Sequence, residues 1–322
     1  ARVAVAGAQS AFSGVAAAAA TVATLAAVRQ RLHCSSLRAP RRIRAMGLMA
    51  TRDAETIRQY FTGRVIWVTG ASGGLGEALS VALCRVAEPR GLLLSARKEA
   101  ELERVKRRCL EVRPSCEVVV LPVDVSALDT LPGTAKKALA SFGKIDVLFN
   151  NAGVGFRGLG AETPLELDQL VMNTNFFSGV ALTKALLPSW LEARNGHVVQ
   201  ISSVQGFFGL PGRTAYSAAK HAAVGFYDSL RAEVANNGVA VTVVCPGYIK
   251  TGHSLNAVHS TNAGYPEGHT SKGVSPDVLA EEILSAVARR KPELVSAALD
   301  AKLARLLRTL LPRLLFWVMR RR

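Results

Sequence analysis

Tyr216 and Lys220 stand four residues apart. On a helix that spacing puts both side chains on one face, one turn apart. A phenol with a pKa of about 10 is a poor acid–base group at neutral pH. A neighbouring ammonium favours its phenolate and brings that value down, so Tyr216 can exchange a proton with a substrate oxygen. Ser203 lies thirteen residues before Tyr216, just after an expected strand. Its hydroxyl can hydrogen-bond the same oxygen as charge develops there. A Tyr-x-x-x-Lys pair by itself is most often a surface accident, so its meaning depends on what else the chain carries.

The second chemistry-bearing stretch is Thr69-Gly70-Ala71-Ser72-Gly73-Gly74-Leu75-Gly76. Glycines there permit a tight turn and let backbone amides approach a pyrophosphate, while a following helix offers its unpaired N–H groups and positive dipole end to the anion. The strand before and the helix after it supply the context that a lone glycine motif lacks. At the end of the second strand, a site for NAD usually carries an acid that accepts the ribose hydroxyls. Here the residues are Ser95-Ala96-Arg97. A cation without an acid suits a 2′-phosphate, so the expected cofactor is NADP(H); the competing reading of Arg97 is a solvated residue at a helix start. Asp124, past the third strand, is placed to hydrogen-bond the adenine amine. Asn150-Asn151-Ala152-Gly153 ends the fourth strand, where small residues let a cofactor come close.

These residues need a scaffold that brings several strand ends to one edge. Short apolar runs at Val65–Val68, Leu92–Leu94, Val118–Leu121, Ile145–Phe149, His197–Ile201 and Val239–Cys245 read as strands. Helical patterns through Val86 and over Lys98–Val112, Leu131–Ser141, Leu165–Trp190, Tyr216–Asn236 and Pro276–Ala288 alternate with them. The alternation predicts an α/β fold, a doubly wound Rossmann-type parallel sheet with right-handed crossovers. One catalytic domain is expected over residues 61–290, with basic extensions at 1–60 and 291–322. Residues 247–275 read as a long polar loop of the kind that carries function.

The charge is concentrated at the ends. Residues 1–60 hold nine Arg against Asp53 and Glu55, and residues 289–322 hold ten Lys/Arg against Glu293 and Asp300. The formal net charge is +16, so the middle of the chain is close to neutral. A nucleic-acid binder would carry its basic stripe on the fold itself; no nucleic-acid partner is expected. Basic ends suit a membrane surface or a targeting signal. Residues 1–52 admit three readings: a weak signal anchor over Val3–Val28, an Arg-rich transit peptide, or a segment foreign to the protein preceding Met46 and Met49. Leu303–Met319 is apolar but interrupted by Arg305, Arg308 and Arg313, with Pro312 inside it and Arg320 to Arg322 behind. That pattern predicts a helix lying in a membrane interface, or one packed on the domain or a sister subunit. Cys34, Cys84, Cys109, Cys116 and Cys245 are odd in number and lack C-x-x-C spacing. They read as buried or bystander thiols facing a reducing compartment, with no metal site expected.

Taken together, Thr69-Gly70-x-x-x-Gly74-x-Gly76, Asn150-Asn151-Ala152-Gly153, Ser203, Tyr216-x-x-x-Lys220 and Pro246-Gly247 resemble the pattern of the short-chain dehydrogenase/reductase family in order and spacing, over about residues 62–290. The resemblance implies hydride transfer between NADP(H) and a ketone or secondary alcohol. It implies that Asn175 completes a catalytic tetrad by holding a water that connects Lys220 to solvent, with Asn173 the alternative. It favours Ser203 over Ser202 on the spacing to Tyr216, and has Lys220 and Tyr216 also engage the cofactor. Pro246, Gly247, Ile249 and Thr251 would bind near the nicotinamide or phosphates, with Ser72 and Leu75 in the glycine loop.

Val180–Pro188, Ser202–Gly206, Gly247–Thr251 with Leu255–Ala257, and the Leu/Arg-rich end resemble a membrane-associated subgroup of that family. Members of the subgroup sit at the endoplasmic reticulum or peroxisome and are linked to reduction of acyl- or alkyl-dihydroxyacetone phosphate. The basic, acid-poor start keeps a mitochondrial address open. Dimers and tetramers are common in the family, so a homo-oligomer is expected. Arg157, Arg213, Lys250 and His253 flank the expected pocket and are candidate phosphate ligands. Two other readings compete with a lipid-ketone reductase: a steroid or retinoid dehydrogenase, and a non-catalytic cofactor-binding regulator, whose mark would be loss of Tyr216 or Lys220.

Overall fold

Strand β1 (Val65–Thr69) sends Val65 and Trp67 to one face of a sheet and Ile66 and Val68 to the other, and all five of its residues are buried. Strands covered on both faces are the mark of a parallel sheet between helical layers. The computed structural model describes residues 53–251, 257–259 and 273–321. Within them α1 (residues 53–61) precedes β1. After it come α2 (Gly74–Val86), β2 (Gly91–Ser95), α3 (Glu99–Val112), β3 (Glu117–Val120), α4 (Leu131–Phe142) and β4 (Val147–Asn150). A short β5 (Phe156–Arg157) leads to α5 (Leu165–Met172), a π turn at Asn173–Phe177 and α6 (Ser178–Ala193). Then follow β6 (Gly196–Ile201), α7 (Thr214–Val234), β7 (Val239–Pro246), β8 (Val258–His259), α8 (Pro276–Ala288), β9 (Glu293–Ser296), α9 (Leu299–Leu310) and α10 (Pro312–Met319).

The main sheet has the order β3-β2-β1-β4-β6-β7-β9, parallel throughout. The expected doubly wound α/β fold is therefore present. The chain winds outward from β1 to β3, then restarts at β4 on the other side of β1. Where the winding reverses, the loops after β1 and β4 diverge and leave a crevice. A second pair, β5 with β8, joins Phe156–Arg157 to Val258–His259 outside the main sheet.

At both ends the described fold runs past residues 61–290. Ile57 and Phe61 of α1 are buried against Phe149 and the core beneath α2. Strand β9 closes the sheet edge through its register with Val243–Pro246. The helix expected over Leu165–Trp190 is interrupted by the π turn, a feature that widens a helix locally and is common at functional sites. The readings of residues 1–52, and those of His253, Leu255 and Asn256, lie outside the described residues.

The edge of the sheet opposite the crevice is held by a buried imidazole. Thr242 Oγ1 donates its one proton to the Lys291 carbonyl at 2.7 Å. It must therefore accept from His197 Nε2, 2.9 Å away, which leaves Nδ1 to accept from the Tyr60 hydroxyl at 2.8 Å. Both ring nitrogens are satisfied in the neutral form. Burial, with the charges of Arg290 and Arg64, pushes the His197 pKa down to about 3. A histidine depressed in the folded state contributes full stability above its unfolded pKa and loses it as pH falls from about 6.5 toward 3. Urea unfolding is expected to lose about 2 kcal/mol on going from about pH 7 to about pH 5, a loss absent in His197→Gln. A parent whose stability is level across that window would contradict the assignment.

Candidate active site

The crevice between β1 and β4 is shaped by close backbone approach. Gly70 has φ of 65°, and a Cβ there would stand 2.8 Å from the Ala152 Cα. A Cβ on Gly76 would overlap the Gly70 carbonyl oxygen. The loop is tied down from below. Thr69 Oγ1 donates to the Phe149 carbonyl and accepts from the Asn151 and Ala152 amides, while Asn151 Nδ2 donates to the carbonyls of Thr69 and Gly70. Thr69 and Asn151 thus hold the loop with their side chains. Asn150 turns inward, donating to the Gly179 carbonyl, Thr183 and Tyr227.

From outside, Arg104 reaches the Ser72 carbonyl at 3.2 Å and grips Glu77 at 2.7 and 2.9 Å. Those contacts and Arg108 hold the Glu77 carboxyl below its usual range. Neither residue was singled out in the sequence; their helical charge pattern reads as ordinary surface. Helix α2 begins after Gly73 with no side-chain cap, and a Cβ on Gly73 would meet nothing within 4 Å. Open space at an uncapped helix end, beside a loop pressed against its own backbone, fits a pyrophosphate. Leu75 is buried, and Thr251 stands against Gly74, its Cγ2 3.2 Å from a Cβ built there. Ile249 bridges to Val274, and Gly247 donates to the Ser296 carbonyl at 2.8 Å, so the segment after β7 is held over the crevice.

At the far end of the crevice Ser95 is buried and accepts from the Trp67 indole, which leaves Arg97 as the exposed residue at the end of β2. Asp124 lies close enough for Arg97 to act on it. Partial burial raises the Asp124 carboxyl, but two hydrogen bonds from Ser126 and the Arg97 charge outweigh it, and the pKa is lowered.

Ser203, Tyr216 and Lys220 converge at the C-terminal ends of β6 and β7. Ser203 is hydrogen-bonded to the Tyr216 phenol and accepts from the Gln205 amide at 3.2 Å. Ser202 points away, donating to the Lys220 carbonyl at 3.1 Å. Lys220 is buried. Its ammonium donates to the Ile201 carbonyl at 2.9 Å and lies 5.5 Å from the centre of the Tyr216 ring. The expectation that the phenol is lowered needs correction. Burial dominates and raises the Tyr216 pKa, against smaller lowering by the Ser203 hydrogen bond and the Arg213 charge. Burial also brings Lys220 down to about 8. Arg213 adds a cation beside the phenol that the four-residue spacing to Lys220 did not announce.

Asn175 is buried in the π turn. Its amide clamps the Val154 backbone, accepting from the N–H at 2.7 Å and donating to the carbonyl at 2.9 Å. A Cβ on Gly153 would lie 2.8 Å from Asn175 Oδ1 and 3.8 Å from Lys220 Nζ, so the three residues share one corner. Asn173 is half-buried, and its carbonyl accepts from the Ser178 amide.

Of the phosphate candidates, Arg213 and Arg157 come together and Lys250 is exposed. Arg213 donates to the Phe156 carbonyl at 2.6 Å, next to the buried Arg157 of β5. Burial first, then the Arg157 charge, holds Arg213 below the usual arginine value; Tyr248 and Tyr216 act the other way.

The sequence profile described as short chain dehydrogenase matches residues 64–262. Among curated proteins, the chain is 45% identical over 278 residues to Dehydrogenase/reductase SDR family protein 7-like of Drosophila melanogaster, covering 84% of this chain and 83% of that protein. It is 42% identical over 266 residues to Dehydrogenase/reductase SDR family member 7B of Xenopus laevis, covering 81% and 82%. Among solved structures, the alcohol dehydrogenase of the archaeon Thermococcus sibiricus, complexed with 5-hydroxy-NADP, is 27% identical with a TM-score of 0.61, covering 73% of this chain and 94% of that one.

Proposed function

Since the chain belongs to the short-chain dehydrogenase/reductase family and is an oxidoreductase, we propose that it uses NADPH to reduce a ketone on a lipid-like, phosphorylated substrate such as acyl- or alkyl-dihydroxyacetone phosphate. The observation that carries the reaction is the convergence of Ser203, Tyr216 and Lys220 on one side of a dinucleotide-shaped crevice. When bound, the nicotinamide supplies the hydride. Ser203 donates a hydrogen bond to the ketone oxygen and orients it toward the phenol. Tyr216, protonated at neutral pH because burial raises it, gives that oxygen its proton. Lys220 carries its charge beneath the ring. Asn175 keeps Val154 and Gly153 in place beside that ammonium.

Support for NADP(H) is the exposed Arg97 following the buried Ser95, with no acid at the end of β2. Arg97→Ala is expected to weaken NADPH by roughly 1.5–3 kcal/mol while NADH changes little, since only a charge-assisted bond to the 2′-phosphate is lost. Fluorescence titration with both cofactors measures this, and equal losses would remove Arg97 from the role.

Support for an anionic substrate is the Arg213–Arg157 pair. Burial first, and then the Arg157 charge, disfavours the Arg213 cation beside Tyr216, an electrostatic cost that an incoming anion relieves. A panel of lipid ketones with and without a phosphate tests the reading. The phosphorylated ketone is expected to have the higher kcat/KM by roughly 10–100-fold, the range of one or two charge-assisted bonds. Faster reduction of neutral ketones would favour a steroid or retinoid substrate instead.

A further inference from the structure

Helix α9 is mounted inside out. Leu299, Leu303, Leu306 and Leu310 recur at helical spacing and share one face. Their exposures are 81%, 44%, 53% and 65%. The opposite face, with Ala301, Ala304 and Arg305, is the one turned to the protein. Arg305 makes the attachment. It pairs with Glu293 through 2.7 and 3.3 Å bonds and lies 4.0 Å from the centre of the Phe207 ring. A surface helix of a soluble domain ordinarily buries its leucines and shows its charges.

Helix α10 extends the same surface. Leu315 is buried and pins it, while Leu314, Phe316, Trp317 and Val318 are exposed. With Leu311 at the junction, the apolar residues form a two-helix patch, more than the scattered surface leucines of a typical monomer.

The charges around this patch identify its occupant. From residue 299 onward the chain carries Lys302, Arg305, Arg308, Arg313, Arg320, Arg321 and Arg322 against Asp300 alone. Arg308 lies 5.2 Å from the Phe316 ring centre and Arg321 4.0 Å from that of Trp317, so cations stand beside the exposed aromatic residues of α10. A second copy would bring the same cations against themselves. An anionic bilayer offers hydrocarbon for the leucines and negative headgroups for the rim. Among the described residues no helix is long and apolar enough to cross a membrane, and this pair breaks at Leu311–Pro312.

We infer that α9 and α10 form an interfacial docking surface for an anionic lipid bilayer. Phe207, on which Arg305 rests, directly follows the turn Val204–Gly206 behind Ser203. Docking there sets the catalytic corner next to the lipid phase. The inference does not depend on the identity of the substrate or the cofactor.

The test uses the full chain with phosphatidylcholine vesicles, with and without phosphatidylserine, and with brominated acyl chains as quenchers. The signal of Trp317 is isolated by difference from Trp317→Phe. Quenching of Trp317 is expected in the phosphatidylserine vesicles, weakening as salt is raised. The combined variant Leu303→Ser, Leu306→Ser, Leu310→Ser is expected to remove Trp317 quenching by roughly 100-fold in partition, with an unchanged melting temperature, because these side chains face away from the fold. Absence of Trp317 quenching in anionic vesicles overturns the inference. A large drop in melting temperature for the triple variant does so too, by showing the stripe to be packed. So does a dimer that the triple variant dissociates.

Discussion

Tyr216→Phe is expected to lower ketone reduction by roughly 10²–10⁴-fold, the range that positioned acid–base catalysis supplies, while NADPH affinity stays within a few-fold of the parent. The substitution removes the proton that the ketone oxygen receives and leaves the ring in its pocket. The Gly-rich loop is anchored by Thr69, Asn151 and Arg104, none of which the substitution changes. Single-turnover rates and equilibrium titration separate the two effects. Residual turnover within tenfold of the parent would place the proton donor elsewhere. The parent should reduce substrate steadily through neutral pH and fail as the raised phenol ionises at alkaline pH.

Gly76→Ala is expected to be the most damaging small substitution in the crevice. Its Cβ would overlap the Gly70 carbonyl oxygen and stand 2.7 Å from Asn151 Nδ2. Both neighbours are backbone, or bonded to backbone on each side, so neither can move without opening the join between β1 and β4. The first turn of α2 must shift instead. A loss of about 3 kcal/mol in unfolding stability is expected, at the upper end of overpacking costs, with NADPH binding lost. Gly73→Ala is the control. Its backbone is extended and its Cβ would meet nothing within 4 Å, so stability should change by less than about 0.5 kcal/mol. Equal destabilisation by the two alanines would show that helix propensity rather than close approach governs this loop.

Much of this site was legible in the sequence because it depends on residue types that physics leaves little freedom to exchange. Gly70 and Gly76 are glycines because a carbon atom has no room there. The apolar runs of β1, β2 and β7 announced strands buried on both faces. The edge strand β9 gave no such signal. Glu293-Leu294-Val295-Ser296 is four residues long and half-buried, so neither alternation nor a continuous apolar run distinguishes it from a loop. Helix α1 was hidden by its neighbours, since its two core residues Ile57 and Phe61 follow a long stretch with no clear pattern. The π turn at Asn175 left no trace because widening by one residue does not change composition. The electrostatics of the tyrosine could not be inferred from spacing. Four residues place Lys220 on the right face, but only the fold shows the ammonium bound to the Ile201 carbonyl and Arg213 acting on the phenol. The leucine periodicity of α9 was visible, whereas its outward mounting through Arg305 requires the positions of Glu293 and Phe207.

The central claim is that this chain moves hydride from NADPH to a ketone carbon while Tyr216 protonates the oxygen. The most direct measurement supplies NADPH carrying deuterium at the transferable position, together with a phosphorylated lipid ketone, and locates the label in the product by mass spectrometry. The account predicts deuterium on the carbinol carbon with the parent, and loss of labelled product with Tyr216→Phe despite intact NADPH binding. Unlabelled alcohol from the parent, or equal labelling by the Tyr216→Phe variant, would contradict it.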